Sequence, residues 1–401
     1  MTPPLRRNRD FVLLQAGQLL SAAGTQSTTI AYPLLVLALS HSPAQAGLVA
    51  FARLLPFGLF GLLAGVAADR WNRKHLMIAA DGVRAAAIAA LAAAVLAGHA
   101  SVWAVLVVAF VEGCGSAVFS AAQAGALRAV VPPAQLAAAA GAQEARRATV
   151  QLGGPPVGGT LFGLGRAVPF LFDAVSYLLS TLSLLAMRAP FQEQRDRNPS
   201  PIRGQIAEGF RFLWGKPFLR TCAFLYGIGN FVAPGLLLTL VVVGRRQGLS
   251  AGEIGLLSAV LGGALLIGAL ASPLVRRKLS IRQILLLELW TWSAVWLFVI
   301  WPNAYVLTAA MVPFGLAAPV TDSVVVAYRV ALTPDRLLGR VESVRSSISL
   351  LAAPLGPLVA GLLLTSTSAR LTVAVFTAIG LGLALWGTLS PSLRNAPRLA
   401  D

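Results

Sequence analysis

Gly65-Val66-Ala67-Ala68-Asp69-Arg70-Trp71-Asn72-Arg73-Lys74 closes one long apolar segment and opens the next. An acid followed by three cations at the end of an apolar run marks a membrane exit on the cytoplasmic side, because bases there meet anionic lipid and resist translocation. The rest of the composition agrees with a membrane reading. Of 401 residues, 57% are hydrophobic and only 12% charged, with a mean hydropathy of +0.75. That much apolar surface cannot be hidden in one soluble core, so lipid has to serve as a second solvent. The net charge of +17 does not point to nucleic acid, because the bases recur in short bursts between apolar runs and read as topology signals.

Working outward from that loop, Arg6, Arg7 and Arg9 lead into an apolar stretch at 11–39, too long for the core of a signal peptide and read as the first span. At about 20 apolar residues per crossing, further spans are expected at 44–68, 76–97, 101–128, 136–164 and 167–187. After a polar segment from Arg188 to Lys216 come 217–242, 253–274, 283–301, 304–328, 338–365 and 370–390. The expectation is an all-α membrane protein of twelve transmembrane helices. Its halves are 1–187 and 217–401, joined by a linker at 188–216. With the N-terminus inside, most Lys and Arg fall in cytoplasmic segments and Arg166, Arg245, Arg246 and Arg370 fall outside, so both termini are expected to be cytoplasmic. In the linker, Ile206, Phe210 and Leu213 or Trp214 share one helical stripe. That suits a helix lying on the membrane surface, and equally a short helix packed under the bundle.

The chain also repeats itself. Ser42-Pro43-Ala44-Gln45-Ala46-Gly47-Leu48, at the entry to the second span, returns as Ser250-Ala251-Gly252-Glu253-Ile254-Gly255-Leu256 at the entry to the eighth. Gly154-Pro155-Pro156-Val157-Gly158-Gly159 returns as Gly356-Pro357-Leu358-Val359-Ala360-Gly361, and each is preceded by Glu-x-x-Arg, Glu144 to Arg147 and Glu342 to Arg345. Gly154 and Gly158 stand at i and i+4, where a neighbouring helix can approach closely, while Pro155 and Pro156 remove backbone donors and bend the span.

The spacing Gly-x-x-x-Asp-Arg-x-x-Arg-Lys resembles the loop between helices 2 and 3 of the major facilitator superfamily of secondary transporters. Gly65, Asp69, Arg70, Arg73 and Lys74 fall in register, and Asn72 stands where that family usually has glycine. The resemblance implies two pseudo-symmetric six-helix halves related by an axis along the membrane normal, and makes these five residues a gating motif. The second-half counterpart keeps Arg276, Arg277 and Lys278 without an aspartate. Gly154, Pro155, Gly158 and Gly159 resemble the antiporter motif of drug and proton exchangers, although Val150 stands where an upstream glycine belongs. Phe110-Val111-Glu112-Gly113, Gln143-Glu144-Ala145-Arg146 and Arg166-Ala167-Val168-Pro169-Phe170-Leu171-Phe172-Asp173 resemble the branch containing macrolide and siderophore exporters.

Ionisable residues inside spans are costly and are functional candidates by default. Asp81 with Arg84, Glu144 with Arg147, and Glu342 with Arg345 stand at i,i+3 and can neutralise one another. Asp173 and Glu288 lie about two turns into their spans, where water or a neighbouring helix end is within reach. Arg53 stands alone on its helix. Glu112 has no base within one turn of its own helix, and Ala109 replaces the family's arginine. It therefore reads either as an unpaired acid that binds protons or as the partner of Arg53 or Arg84 on another helix. In the resembling fold helices 1, 4, 7 and 10 line the central cavity, which nominates Gln26, Glu112, Asn230 and Asp322 as its polar lining, with Glu112 and Asp322 as proton-coupling acids. A mid-membrane carboxyl group that loses water favours its proton and one that regains water releases it, which is the cycle an antiporter needs.

No enzyme signature competes, since there is no Gly-x-x-x-x-Gly-Lys phosphate loop, nucleophile elbow or paired metal-ligand spacing. Cys114 and Cys222 lie inside apolar runs, and His41, His75 and His99 lie near span ends. Neither a disulfide framework nor a metal site is expected. The expected protein is a monomeric secondary transporter of the cell membrane, exporting a small amphipathic compound in exchange for protons, with no cofactor beyond the proton gradient and with membrane lipid as its surroundings. Uptake, facilitation, and a non-transporting sensor or assembly partner on the same scaffold remain the alternatives.

Overall fold

The computed structural model describes residues 5–189, 191 and 202–394. In chain order the helices are α1 (Arg9–Ser40), α2 (Pro43–Arg70), α3 (Arg73–Leu96), α4 (Val102–Val130), α5 (Leu136–Leu164) and α6 (Val168–Ala186). After α7 (Ile202–Gly215) come α8 (Pro217–Arg246), α9 (Ala251–Lys278), α10 (Ile281–Thr291), α11 (Leu297–Ile300) and α12 (Ala304–Leu332). The last are α13 (Asp335–Ala352), α14 (Leu355–Ser366) and α15 (Ala369–Leu389), followed by a short turn of helix at Pro391–Arg394.

Among the described residues, ten helical segments are long and apolar enough to cross a membrane. With 32 and 29 residues, α1 and α5 are also long enough, but they carry more polar side chains. Two expected spans are interrupted. A 3-10 stretch, Trp292–Trp296, separates α10 from α11, and α13 gives way to α14 around Pro354. There Pro354 and Pro357 each remove a backbone donor within one turn. Side-chain caps start several helices and keep the loops short: Ser42 for α2, Asn72 for α3, Ser101 for α4 and Ser280, in a capping box with Gln283, for α10.

The helices are built for lipid on the outside. On α6 the buried positions include Asp173, Ser176, Tyr177 and Ser180 beside Phe170, Ala174 and Leu184, while Leu171, Val175, Leu178, Leu182 and Leu185 are exposed. The polar stripe turns inward and the apolar one outward, the reverse of a helix on a water-soluble core.

The chain forms two compact units. One holds α1 to α6 together with Leu249–Ala259; the other holds α7, α8, α9 from Val260 onward, and α10 to α15. The opening turns of α9 thus pack with the first unit. A Cβ at Gly159 would come within 3.1 Å of both the Ala251 carbonyl carbon and the Gly255 Cα.

The repeat is visible in the packing. Gly154 of α5 admits Gln26 of α1, whose Cβ would lie 2.5 Å from an added methyl group, and Gly158 admits the Ser27 backbone at 2.7 Å. In the second unit Gly356 of α14 lies against the Phe231 carbonyl of α8, whose carbon would stand 3.0 Å from an added Cβ. Each Gly-Pro motif therefore seats its helix on the first long helix of its own unit.

The linker helix α7 packs on α13 in the second unit. Leu213 is buried in a core shared with Phe218, Leu285, Val324 and Val341, and Glu208 forms an ion pair with Arg340. Phe210 and Trp214 stay exposed and stack at 4.7 Å.

Candidate functional site

A buried polar cluster occupies the interior of the first unit. Arg53, alone among cations on the middle turns of α2, reaches Glu112 on α4 through two bonds, Nη2 to Oε1 at 2.8 Å and Nε to Oε2 at 3.1 Å. The reading of Glu112 as an unpaired acid is therefore corrected. It is 1% exposed, and its counter-ion comes from the neighbouring helix, where a search along α4 alone does not find it. Gly113 makes the pairing possible, because a Cβ there would crowd the Arg53 carbonyl carbon at 3.1 Å.

Helix α1 supplies the remaining acceptors for Arg53. The guanidinium donates to the Thr25 carbonyl at 2.9 Å, to Thr29 Oγ1 at 3.1 Å and to Thr28 Oγ1 at 3.2 Å. The Tyr32 ring lies 5.1 Å away, within cation–π range. Tyr177 of α6 bonds both Thr25 Oγ1, at 2.8 Å, and Glu112 Oε1, at 3.3 Å. A charge pair held this way has its desolvation cost offset by charge-assisted hydrogen bonds on every side.

Beside it lies a second buried pair. Arg84 of α3 bonds Asp81 on its own helix and Ser116 Oγ at 3.2 Å, and it stacks over the Tyr177 ring at 4.2 Å and the Phe119 ring at 4.8 Å. Asp173 of α6 is fully buried and faces α1, where Gly24 leaves room for it: an added Cβ would meet the Asp173 Cα at 2.9 Å. The expectation that Asp173 reaches water or a helix end is thus also corrected, since burial against α1 shuts it off from both. Gln26, nominated for the cavity lining, is half-buried and lies against Gly154.

The second unit has a different character. Asp322, in the middle of α12, is exposed and accepts a hydrogen bond from Tyr226 Oη; Asn230, one turn along α8 from Tyr226, is exposed and donates to the Tyr226 carbonyl at 2.9 Å. An exposed carboxylate halfway along an apolar helix requires water or a polar partner rather than lipid. Arg345 lies 5.4 Å from the Tyr226 ring and pairs with Glu342, which also binds Arg329 of α12 at 2.8 Å. The i,i+3 pair read on α13 is thus a three-membered bridge between helices.

In the loop between α2 and α3, Asp69 stands in the last turn of α2, and its side chain lies outside the described residues. Gly65 has open space where a Cβ would be, and Arg70 is exposed. The other two bases of the motif bind carbonyls: Arg73 Nε donates to Ala68 at 3.2 Å and Lys74 Nζ to Met187 at 2.7 Å. Lys74 thereby covers the C-terminal end of α6. Asn72 in place of glycine also has an account. With φ −62° and ψ 115° no left-handed turn is needed, and its side chain caps α3 at Lys74 and His75.

Sequence reasoning names Glu112, Asp173 and Arg53, with Arg53 as one of two partners offered for Glu112, but not the hydroxyls that join them. The polar run Gln26-Ser27-Thr28-Thr29 in the first span was the available signal, because only a helix facing polar partners tolerates such a run in lipid.

A profile of the Major Facilitator Superfamily matches residues 15–289 and again 221–399. Among characterised relatives, the multidrug efflux pump Tap of Mycolicibacterium fortuitum is 29% identical over 98% of this chain and 96% of its own length. Macrolide efflux protein A of Streptococcus pyogenes is 26% identical over 88% of each chain. Among solved structures, a bacterial homolog of the human lysosomal transporter Spinster, inward-facing and unoccupied, superposes with a TM-score of 0.79 over 100% of both chains at 18% identity. A bacterial homologue of the iron transporter ferroportin, inward-facing, gives 0.72 over 95% of this chain and 98% of its own at 19% identity. At those identities the two structures speak to the fold alone.

Proposed function

This chain belongs to the Major Facilitator Superfamily, and from that premise we propose that it is a proton-coupled antiporter exporting a small amphipathic compound. It is an integral membrane transporter and not an enzyme. The observation that carries the antiport reading is the Arg53–Glu112 pair, sealed among hydroxyls in the first unit with a further acid beside it. Buried ionisable groups in a membrane domain are expensive, and a cluster whose acids outnumber its bases has a place for a proton.

Relatives named as a multidrug efflux pump and a macrolide efflux protein support export of a drug-like, amphipathic substrate. Asp322 and Asn230, exposed in mid-helix, and Gln26 are the side chains proposed to meet that substrate, and Asp322 is the second proposed proton-coupling acid. The loop motif of Gly65, Asp69, Arg70, Arg73 and Lys74 is proposed as the gate, and the contact of α5 with α1 and the start of α9 at Gly154, Pro155, Gly158 and Gly159 as a hinge seam. The distribution of Lys and Arg supports cytoplasmic termini. The working unit is proposed to be a monomer in lipid, driven by the proton gradient without a further cofactor.

The test is uptake of ethidium or a macrolide into inverted membrane vesicles from cells producing the protein. Uptake should require an acid-inside gradient and collapse when an ionophore dissipates it. Movement in the opposite direction would establish import instead, and movement that ignores the gradient would establish facilitation.

A further inference from the structure

The buried charges of the first unit do not close in pairs. Arg53 is taken by Glu112 and Arg84 by Asp81, and the acid left over is Asp173, with 0% of its surface exposed. The ionisable groups facing it are Arg53 from α2, Arg84 from α3, Glu112 from α4, Tyr32 from α1 and Tyr177 from its own helix. Among the described residues, no cation bonds its carboxyl oxygens.

Those oxygens meet two hydroxyls, Thr28 Oγ1 at 3.2 Å from Oδ2 and Ser176 Oγ at 3.3 Å from Oδ1. Each hydroxyl has a nearer acceptor. Thr28 Oγ1 lies 2.9 Å from the Thr25 carbonyl, and Ser176 Oγ lies 2.7 Å from the carbonyl of Asp173 itself. A hydroxyl has one proton to donate. When both protons go to the carbonyls, an ionised Asp173 is left buried without a donor, which is a costly state. A neutral carboxyl group resolves the count, because it donates its own proton to Thr28 Oγ1. Arg53 Nη2 stands 3.2 Å from the same hydroxyl oxygen, although its two protons have nearer acceptors in Glu112 Oε1 at 2.8 Å and the Thr25 carbonyl at 2.9 Å, so Thr28 Oγ1 keeps a lone pair open to the carboxyl proton while lying between the two groups.

We propose that Asp173 carries the exchangeable proton of this transporter, and that Thr28 is the link between it and the Arg53–Glu112 pair. The proposal rests on the antiport reading and names the acid on which that reading turns. One cation, two acids and one proton form a neutral set. When Asp173 gives its proton to cavity water, the set holds one negative charge in excess. Arg53 is then drawn from Glu112 toward Asp173 across Thr28, and the cluster must open to water or to a cation. Burial thus keeps the proton bound, and opening releases it.

The test is infrared spectroscopy of the purified full-length protein in lipid at neutral pH. Wild type should show a protonated-carboxyl stretching band that is absent from Asp173→Asn, and Thr28→Val should shift that band to higher frequency by removing its hydrogen-bond partner. A wild-type spectrum without the band, or a band unchanged in Asp173→Asn, would overturn the assignment; an unshifted band in Thr28→Val would overturn the link. The spectrum is independent of transport. Proteoliposomes loaded with ethidium then separate the two claims. If wild type ignores an imposed gradient, antiport fails whatever the spectrum shows. If wild type is gradient-driven and Asp173→Asn remains so, antiport stands and Asp173 is not its proton carrier.

Discussion

Arg53 and Glu112 face each other across the contact of α2 with α4 through two hydrogen bonds, of 2.8 and 3.1 Å, and only 1% of the acid's side chain reaches solvent. Such a pair is worth less as attraction than its disruption costs, because each charge was dehydrated for the other. Arg53→Met should therefore lower stability by about 3–5 kcal/mol, whereas Arg53→Met with Glu112→Met should recover most of the loss. Thermal unfolding of the three proteins in the same lipid checks this. A double variant no better than Arg53→Met would mean that the pair's hydroxyl partners, and not its charge balance, hold the cluster.

The seam between α1 and α5 depends on the missing side chain at Gly158, where the Ser27 backbone stands 2.7 Å from a virtual Cβ. Gly158→Leu should cost about 1–3 kcal/mol by overpacking and should reduce transport with it. Gly163→Ala, on the same helix with open space at its Cβ, should leave stability unchanged or slightly raised. Equal melting temperatures for Gly158→Leu and wild type would remove the close contact from the account.

Lys74 closes the end of α6 by donating to the buried Met187 carbonyl at 2.7 Å. Lys74→Met should cost about 1 kcal/mol through the lost hydrogen bond, and hydrogen exchange at the C-terminal turn of α6 should quicken. Unchanged exchange there would assign Lys74 to the lipid surface instead.

The position of α7 is set by a backbone approach as much as by charge. Its Gly209 lies where a Cβ would meet the Arg340 carbonyl oxygen at 2.6 Å, beside the half-exposed ion pair of Glu208 with Arg340. Glu208→Gln should change stability by less than about 1 kcal/mol, as partly exposed pairs do. Gly209→Val should detach the helix and expose Ile202–Gly215 to limited proteolysis. Resistance equal to wild type would show that Leu213 alone anchors it.

The architecture was legible because membrane spans announce themselves by length and apolarity, and because the Gly-Pro repeat recurs at matched places in the two halves. The Asp81–Arg84 pair, which depends on its own helix alone, was read correctly, whereas Glu144 and Arg147, at the same spacing among the described residues, form no ion pair with each other and are exposed. The cluster was legible in its members but not in its pairing. Arg53 and Glu112 are 59 residues apart in the chain, and nothing on either helix encodes which of two arginines the acid will meet. The contact is chosen by Gly113, whose absent side chain lets α2 come close. Asp173 was misjudged for a related reason. Its depth along α6 was readable, but the room for it at Gly24 of α1 exists only once the two helices are packed. Interruptions of a span likewise depend on more than proline, since Pro155 and Pro156 sit inside an unbroken α5 while the second unit breaks at Pro354.

The central claim is that the buried cluster couples export to protons through its surplus acid, and Glu112→Gln in proteoliposomes tests it most directly. With Glu112 neutral, Arg53 is left with Asp173 as its one counter-ion, and the set has no acid to spare for a proton. The account predicts that this variant loses gradient-driven accumulation of ethidium while one-for-one exchange of ethidium across the membrane continues. Accumulation against the ethidium gradient at the wild-type rate would contradict it.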